Sequence, residues 1–160
     1  MKRGTTLFLK FAVIVIGLVG LALCIFLVPE IANYMAKLYP QAHYLKYLVL
    51  TGLYPTAIPF YCALYQAFKL LSYIDRNNAF SEPSVEALKI IKYCAAVISA
   101  LFMLDMPLFY LFAERDDAPG VIIIGLVMIF ASMVIAVFAA VLEKLLKNAI
   151  DIKVENDLTV

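Results

Sequence analysis

The stretch VIIIGLVMIFASMVIAVFAAVL, from Val121 to Leu142, runs for 22 residues without a charged side chain. A helix of about 20 apolar residues crosses the roughly 30 Å hydrocarbon core of a bilayer, so this stretch predicts a transmembrane helix. Three more windows of the chain are similarly long and apolar, at about residues 7–28, 47–74 and 90–112. The chain is 65% hydrophobic and only 16% charged, far from the composition of a soluble domain. The sequence therefore predicts an all-α integral membrane bundle of four transmembrane helices.

The four predicted spans leave only short connections in a chain of 160 residues. We therefore expect one domain, residues 1–160, with a short tail at 143–160. Of the 13 lysines and arginines, Lys37, Lys46 and Arg115 fall on one side of the predicted spans and the other ten fall on the side of both termini. Lysine and arginine favour the cytoplasmic side, so both termini are predicted to be cytoplasmic.

No residues form a pattern typical of catalysis or metal binding. Cys24, Cys62 and Cys94 lie inside predicted spans without paired spacing, and His43 stands alone in its connection. The chain carries no recognisable nucleophile motif and no glycine-rich phosphate loop. We therefore expect a protein that is not an enzyme, with no metal or cofactor. The net charge of +1 gives no indication of direct nucleic-acid binding.

Asp105 is the unusual residue of the third predicted span. Counted back from Phe112, it lies about 10 Å inside the outer boundary, and an acid at such a depth is by default a candidate functional residue. At the matching depth, the second span offers Tyr54 and Thr51, with Lys46 at its rim. Two interpretations follow for this outer-half polar cluster. Either Asp105 ties the two spans together through Tyr54 or Thr51, or it is the base of a ligand or proton site.

Prolines accompany this cluster. Pro55 and Pro59 in the second span and Pro107 in the third each lack a backbone donor. We predict that they break their helices, and that the distorted backbone lines a polar pocket open to the outside. The external segment that follows the first span is predicted to be a short helix on the outer leaflet, ended by Pro40.

Small residues recur along the predicted helices. Ser132, Ala136 and Ala140 are spaced by four residues, as are Ala95 and Ser99. Such stripes let neighbouring helix backbones approach closely. They are interpreted as seams of one bundle, although a homo-oligomer would use the same stripes.

The connection between the second and third spans is strongly patterned. Ser81 is suited to cap the third helix, which places Phe80 just before it and Ser84 in its first turn. These three residues are candidates for docking a partner. The end of the chain is a second candidate, because it could fray, add to a sheet edge or fill a partner's groove. Its residues are Glu155, Asn156, Asp157, Leu158, Thr159 and Val160.

The same two segments carry a resemblance to a known family. The stretch 78–81, followed by Ser84, Val85 and 88–91, together with the end at 155–160, resembles the bacterial domain-of-unknown-function family 2975. The resemblance implies a small four-helix protein of the bacterial plasma membrane. Genes of that family often lie beside a gene for a small helix-turn-helix regulator, which implies a membrane protein that holds or signals to a transcription factor.

Two hypotheses of function follow. The first is a non-enzymatic regulatory membrane protein whose cytoplasmic segments dock the helix-turn-helix partner. The second is a small transporter, channel or immunity-type protein that acts at the membrane. Transport requires polar side chains in both halves of the membrane, and the inner halves of the predicted spans have few, so the first hypothesis is preferred.

Overall fold

The computed structural model describes residues 3–159, in which all regular secondary structure is helical. The helices are α1 Arg3–Ala22, α2 Val28–Leu38, α3 Tyr44–Asp75, α4 Glu82–Asp116 and α5 Gly120–Thr159, with a π-helical turn at Leu23–Leu27 joining α1 to α2. Four helical stretches are long and apolar enough to cross a membrane, namely Arg3–Leu38, Tyr44–Asp75, Glu82–Asp116 and Gly120–Thr159. The predicted all-α class and the four candidate spans are confirmed. Each of these four helical stretches extends beyond the corresponding predicted span.

The chain runs up and down, so helix ends meet at two levels. At the end that holds both termini, here called the termini end, Lys10 of α1 pairs with Asp75 of α3 at 2.7 Å. At the same end Lys92 of α4 pairs with Glu143 of α5 at 2.8 Å. The opposite end, called the loop end, holds the short connections 39–43 and 117–119. Assignment of the termini end to the cytoplasm stays a prediction from the charge pattern.

The helices lie side by side in an open row, in the order α1, α3, α4, α5. Helix α1 packs on α3, α3 packs on α4, and α4 packs on α5, whereas α1 and α5 form no comparable interface within residues 3–159. This arrangement differs from a closed bundle, in which the first and last helices pack together. Both outer helices expose large apolar side chains around most of their surface, such as Phe8 of α1 and Phe138 of α5. Lipid tails cover such surfaces well, so the membrane supplies no hydrophobic force to close the row.

The prediction that three prolines break their helices is wrong. Pro55 and Pro59 lie inside the continuous helix α3, and Pro107 lies inside α4. Each proline removes one backbone hydrogen bond, but those of the adjoining turns remain. Packing against neighbouring helices makes such a loss tolerable in a membrane-spanning helix.

The short helix predicted after the first span is found, but its surroundings differ from the prediction. Helix α2 continues the first span through the π-helical turn and ends at Leu38, just before Pro40. Its Ala32 and Met35 are almost fully buried in a small core with Leu45 and Val49 of α3. Apolar contact with α3 therefore holds α2 in place, so it is not a helix that floats on a membrane surface.

Small residues form the seams between helices, as their spacing predicts. On α5 the buried residues Gly125, Ser132 and Ala139 are seven residues apart and face α4, the repeat expected of two helices that wrap around each other. Ala95 and Ser99 of α4 are buried as well. Of the predicted stripe on α5, Ser132 is buried, whereas Ala136 and Ala140 are half-buried.

Candidate functional site

Asp105 is buried on α4, with 5% of its surface exposed. It faces Gly52 of α3, so closely that a Cβ atom added at Gly52 would lie 2.5 Å from Asp105 Oδ1. Its second oxygen, Oδ2, is buried and has no hydrogen-bond partner. An isolated buried polar atom is rare in folded proteins because its lost hydration is not replaced. Asp105 is therefore the residue of the membrane interior that most calls for an explanation.

The predicted partners of Asp105 on the second span do not bond to it. Tyr54 donates its hydroxyl to the carbonyl of Cys24 at 3.0 Å. Thr51 donates to the carbonyls of its own helix, at Tyr47 and Leu48. The expectation that Asp105 faces the second span is met, but its contact is with a glycine rather than with a polar side chain. Counting residues gives a common depth, whereas the rotation of each helix decides which side chains meet.

Tyr54 has a different role that follows from the π-helical turn. A π-helix pairs each carbonyl with the amide five residues later, and the amide of Val28 bonds to the carbonyl of Leu23 in this way. The next carbonyl in that register, Cys24, faces Pro29, which has no N–H to give. The hydroxyl of Tyr54 supplies the missing hydrogen bond to this carbonyl and thereby connects α3 to the first span.

The fourth member of the predicted cluster, Lys46, lies in the first turn of α3 and is half-buried. It is six residues from Gly52, or about 9 Å along the helix. The predicted group of Asp105, Tyr54, Thr51 and Lys46 therefore does not assemble into one hydrogen-bonded cluster. A partly polar cavity of about 230 Å³ does lie at the loop end, between α4 and the start of α5. Its lining residues are Tyr110, Ala113, Glu114, Asp117, Pro119 and Ile122.

An apolar groove of about 420 Å³ lies at the termini end. It is bounded by the end of α3, the connection at Ala79 and Phe80, the start of α4 and the extension of α5 past the last predicted span. The lining residues are Leu70, Ile74, Ala79, Phe80, Leu88, Leu142, Leu145, Leu146 and Ala149. The groove exists because α3 and α5 both pack on α4 without an extensive interface of their own.

The three predicted docking residues of the connection lie in different environments. Phe80 lines the groove and is 57% exposed. Ser81 occupies the predicted cap position before α4 in extended backbone, but its side chain makes no capping hydrogen bond to the helix. Its hydroxyl instead donates to the carbonyl of Asn78 at 2.7 Å. Ser84 is fully buried and donates to the same carbonyl at 3.3 Å. Ser84 therefore stabilises the connection from within, and its side chain is not exposed at the surface where a partner would bind.

The tail is helical up to Thr159. Residues 151–159 are exposed throughout, and Ile152 and Leu158 are 66% and 81% exposed. A helix cannot add to the edge of a sheet, so that suggestion for the tail is wrong for residues 155–159. Val160 lies outside the described residues.

A buried ion pair stands beside the groove. The carboxylate of Glu143 is 7% exposed and bonds to Lys92 at 2.8 Å and to Lys147 at 3.3 Å. Lys92 also lies 4.8 Å from the ring centre of Tyr93. The sequence analysis did not identify this cluster. Glu143 falls four residues after Ala139, on the buried face of α5, and this spacing could have predicted that its carboxylate is buried.

Two tyrosine hydroxyls form hydrogen bonds to α4 at the loop end. Tyr34 of α2 donates to Asp116 of α4 at 2.6 Å, and Tyr39 donates to the carbonyl of Leu111 at 2.8 Å. Tyrosine is common at membrane interfaces because its ring is apolar and its hydroxyl is polar. Here the hydroxyls of Tyr34 and Tyr39 join α2 and the connection after it to the end of α4.

Comparison with known proteins gives a family and a relative. The family described as protein of unknown function (DUF2975) matches residues 30–160. A protein of Bacillus subtilis (strain 168) described as uncharacterized membrane protein YoaS is 70% identical over 160 residues, which cover all of both chains. No solved structure matches the chain. The resemblance found in the connection and the tail is thereby confirmed, and the chain belongs to the DUF2975 family of membrane proteins.

Proposed function

We propose that this protein is a non-enzymatic regulator of the bacterial plasma membrane that holds a small helix-turn-helix protein at its termini end, on the cytoplasmic side. The observation that carries the proposal is the apolar groove between α3, α4 and α5. The charge pattern of the sequence supports the cytoplasmic assignment, since ten of the 13 lysines and arginines fall on this side.

The shape of the groove suits an amphipathic helix. Leu142, Leu145, Leu146 and Ala149 lie on one face of α5 and form one wall. The same face continues past the groove to the exposed side chain of Ile152. An amphipathic helix binds such a surface by inserting apolar residues spaced by three or four positions. Helix-turn-helix proteins are small helical domains and can offer a helix of this kind.

The rim of the groove supplies charge. Lys147 is 56% exposed while it bonds to the buried Glu143, and Lys89 and Lys144 are neighbours of lining residues in sequence. A partner helix with acidic residues beside its apolar stripe fits this rim, because opposite charges at the edge of an interface favour association and orientation.

The test is co-purification of the full chain from native membranes in a mild detergent, with identification of bound proteins by mass spectrometry. Ala149→Phe fills the groove and should release the helix-turn-helix protein. Asn148→Phe, one position along the same exposed helix, adds the same ring outside the groove lining and should leave the protein bound. A chain that ends at residue 154 measures any contribution of the tail.

Two results would contradict the proposal. One is the recovery of the wild-type chain without any helix-turn-helix protein. The other is equal recovery of that protein with Ala149→Phe and Asn148→Phe, which would place the contact elsewhere.

The second candidate function is a transporter, channel or immunity-type protein that acts at the membrane itself. Asp105, a buried acid between two candidate spans, is the observation that favours it. The open row of helices argues against it for a single chain, because four helices side by side enclose no path across the membrane. A homo-oligomer could close such a path, so the mass of the purified protein separates the two cases.

A further inference from the structure

The carboxyl group of Asp105 combines three properties that rarely occur together. It is 5% exposed, its Oδ2 has no hydrogen-bond partner, and it occupies the space that a side chain at Gly52 would need. An ionised carboxylate in such surroundings loses its hydration without replacement, and the usual outcome is that the group takes up a proton instead.

No element packed against Asp105 brings a positive charge to it. On α3 the nearest titratable side chain, Tyr54, is bonded to the carbonyl of Cys24, and Lys46 is about 9 Å further along that helix. On α5 the stretch 121–129 contains no titratable residue. On α4 itself Tyr110 is 57% exposed and lines the loop-end cavity.

Helix α2 also contacts α4, and its charged and titratable groups point to other partners. Tyr34 bonds to Asp116, eleven residues past Asp105 and about 16 Å along α4. Glu30 and Lys37 lie on the exposed side of α2. The carboxyl group of Asp105 therefore has no cation that would keep it ionised.

Gly52 and Pro55 complete the site from the side of α3. Glycine leaves the room that the carboxyl group fills. Pro55 has no N–H, so the carbonyl of Thr51, next to Gly52, lacks its helical donor. A protonated carboxyl group has one hydroxyl to donate, and this turn of α3 offers an acceptor that needs one.

We propose that Asp105 is a proton-binding site between α3 and α4, and that its protonated form allows the two helices to pack together at Gly52. Loss of the proton leaves a charge that must draw in water, and water at this point separates the helices. The ligand of the site is thus a proton, exchanged from the loop end, which is the nearer end of α4.

The test is infrared spectroscopy of the full chain in lipid nanodiscs, with the aspartate carboxyl carbons labelled with carbon-13. At neutral pH we expect a carbonyl band of one carboxylic acid per chain that is absent from Asp105→Asn. Raising the pH should convert that band to carboxylate bands and increase amide hydrogen exchange in residues 48–56, measured relative to the intrinsic exchange rate at each pH. The rise in exchange should not occur in Asp105→Asn, which cannot ionise.

Gly52→Ala provides a second variant that keeps the acid. Its added methyl group must displace the carboxyl group, so the acid band should shift in frequency and titrate at lower pH as water reaches it. This variant keeps the test informative if Asp105→Asn does not fold.

Three outcomes overturn the proposal. The first is the absence of an acid band from the wild type at neutral pH. The second is a carboxylate signal that responds to exchange of sodium for potassium, which identifies a metal cation rather than a proton as the ligand. The third is titration of the band without any change in the exchange of α3.

Discussion

At the scale of single residues, glycines set the closest approaches between helices. A Cβ atom at Gly20 would lie 2.7 Å from the ring of Phe60, and one at Gly125 would lie 2.6 Å from both Met106 Sδ and the ring of Phe109. Real Cβ atoms do not approach other atoms so closely, so a larger residue at these positions requires the neighbouring side chains, or the helix that carries them, to move. The contacts explain why short small-residue stripes suffice to define three helix pairings.

Replacement of Gly125 tests this interpretation. Gly125→Ala should lower the free energy of unfolding by about 1–3 kcal/mol, the usual cost of overpacking. The matched control is Gly4→Ala in α1, where an added Cβ meets nothing within 4 Å. The two variants are compared by thermal unfolding in the same detergent. Equal melting temperatures for both would show that the seam between α4 and α5 adapts without cost.

At the scale of helices, α4 is the element on which the others depend, because it packs on both α3 and α5. Its interface with α5 begins at Gly125 and ends in the buried pair of Lys92 and Glu143. Two charges that are removed from water stabilise a fold only while both are present, since a single one left behind is costly. The pair therefore favours one register of α4 against α5 over others that would separate the charges.

The register argument predicts an asymmetry between two lysines that both bond to Glu143. Lys92→Met leaves the buried carboxylate of Glu143 without its closer counter-charge and should reduce stability by about 1–3 kcal/mol. Lys147→Met removes only an exposed lysine, 56% accessible, and should change stability by less than about 1 kcal/mol. Resistance to unfolding by a denaturing detergent distinguishes them. A larger loss for Lys147→Met than for Lys92→Met would refute the assignment of Lys92 as the principal partner.

Sequence patterns predicted the helices well, for a physical reason. The oily core of a membrane demands long apolar segments, and residues 7–28, 47–74, 90–112 and 121–142 all fall within candidate spans of the structure. The prediction of broken helices at the three prolines was wrong. A proline-containing apolar sequence is the same whether the helix breaks or only lacks one hydrogen bond. Sequence patterns also placed Asp105 at the depth of Tyr54, but could not give the helix rotation that brings Gly52 to it.

At the scale of the whole molecule, the sequence did not predict the order in which the helices pack side by side. Every span is apolar on most of its surface, so hydropathy does not distinguish a face that meets lipid from one that meets protein. The groove at the termini end follows from that order, since it fills the angle between α3 and α5. Its Phe80 was a predicted docking residue, whereas most of the wall formed by α5 lies in residues 143–160, which were predicted only as a short tail.

Cysteine cross-linking tests the open row. A Cβ at Gly17 lies 3.6 Å from Leu64 Cδ1, so the two positions face each other. In a chain whose native cysteines are replaced by alanine, we therefore expect Gly17→Cys with Leu64→Cys to form a disulfide. Gly17→Cys with Ala140→Cys should not, since α1 and α5 form no extensive interface within residues 3–159 to bring them together. Mass spectrometry of the monomer after mild oxidation gives the answer. A disulfide in the second pair would mean that the row closes into a bundle.

The length of α5 has a mechanical consequence. Its 40 residues extend about 60 Å, roughly twice the thickness of the hydrocarbon core, and α4 is the helix that holds it. Such a rod acts as a lever arm with its pivot at the small residues near Gly125. A tilt of about 5° about that pivot displaces the far end by roughly 4–5 Å, so a slight change inside the membrane becomes a displacement about the size of a side chain at Thr159.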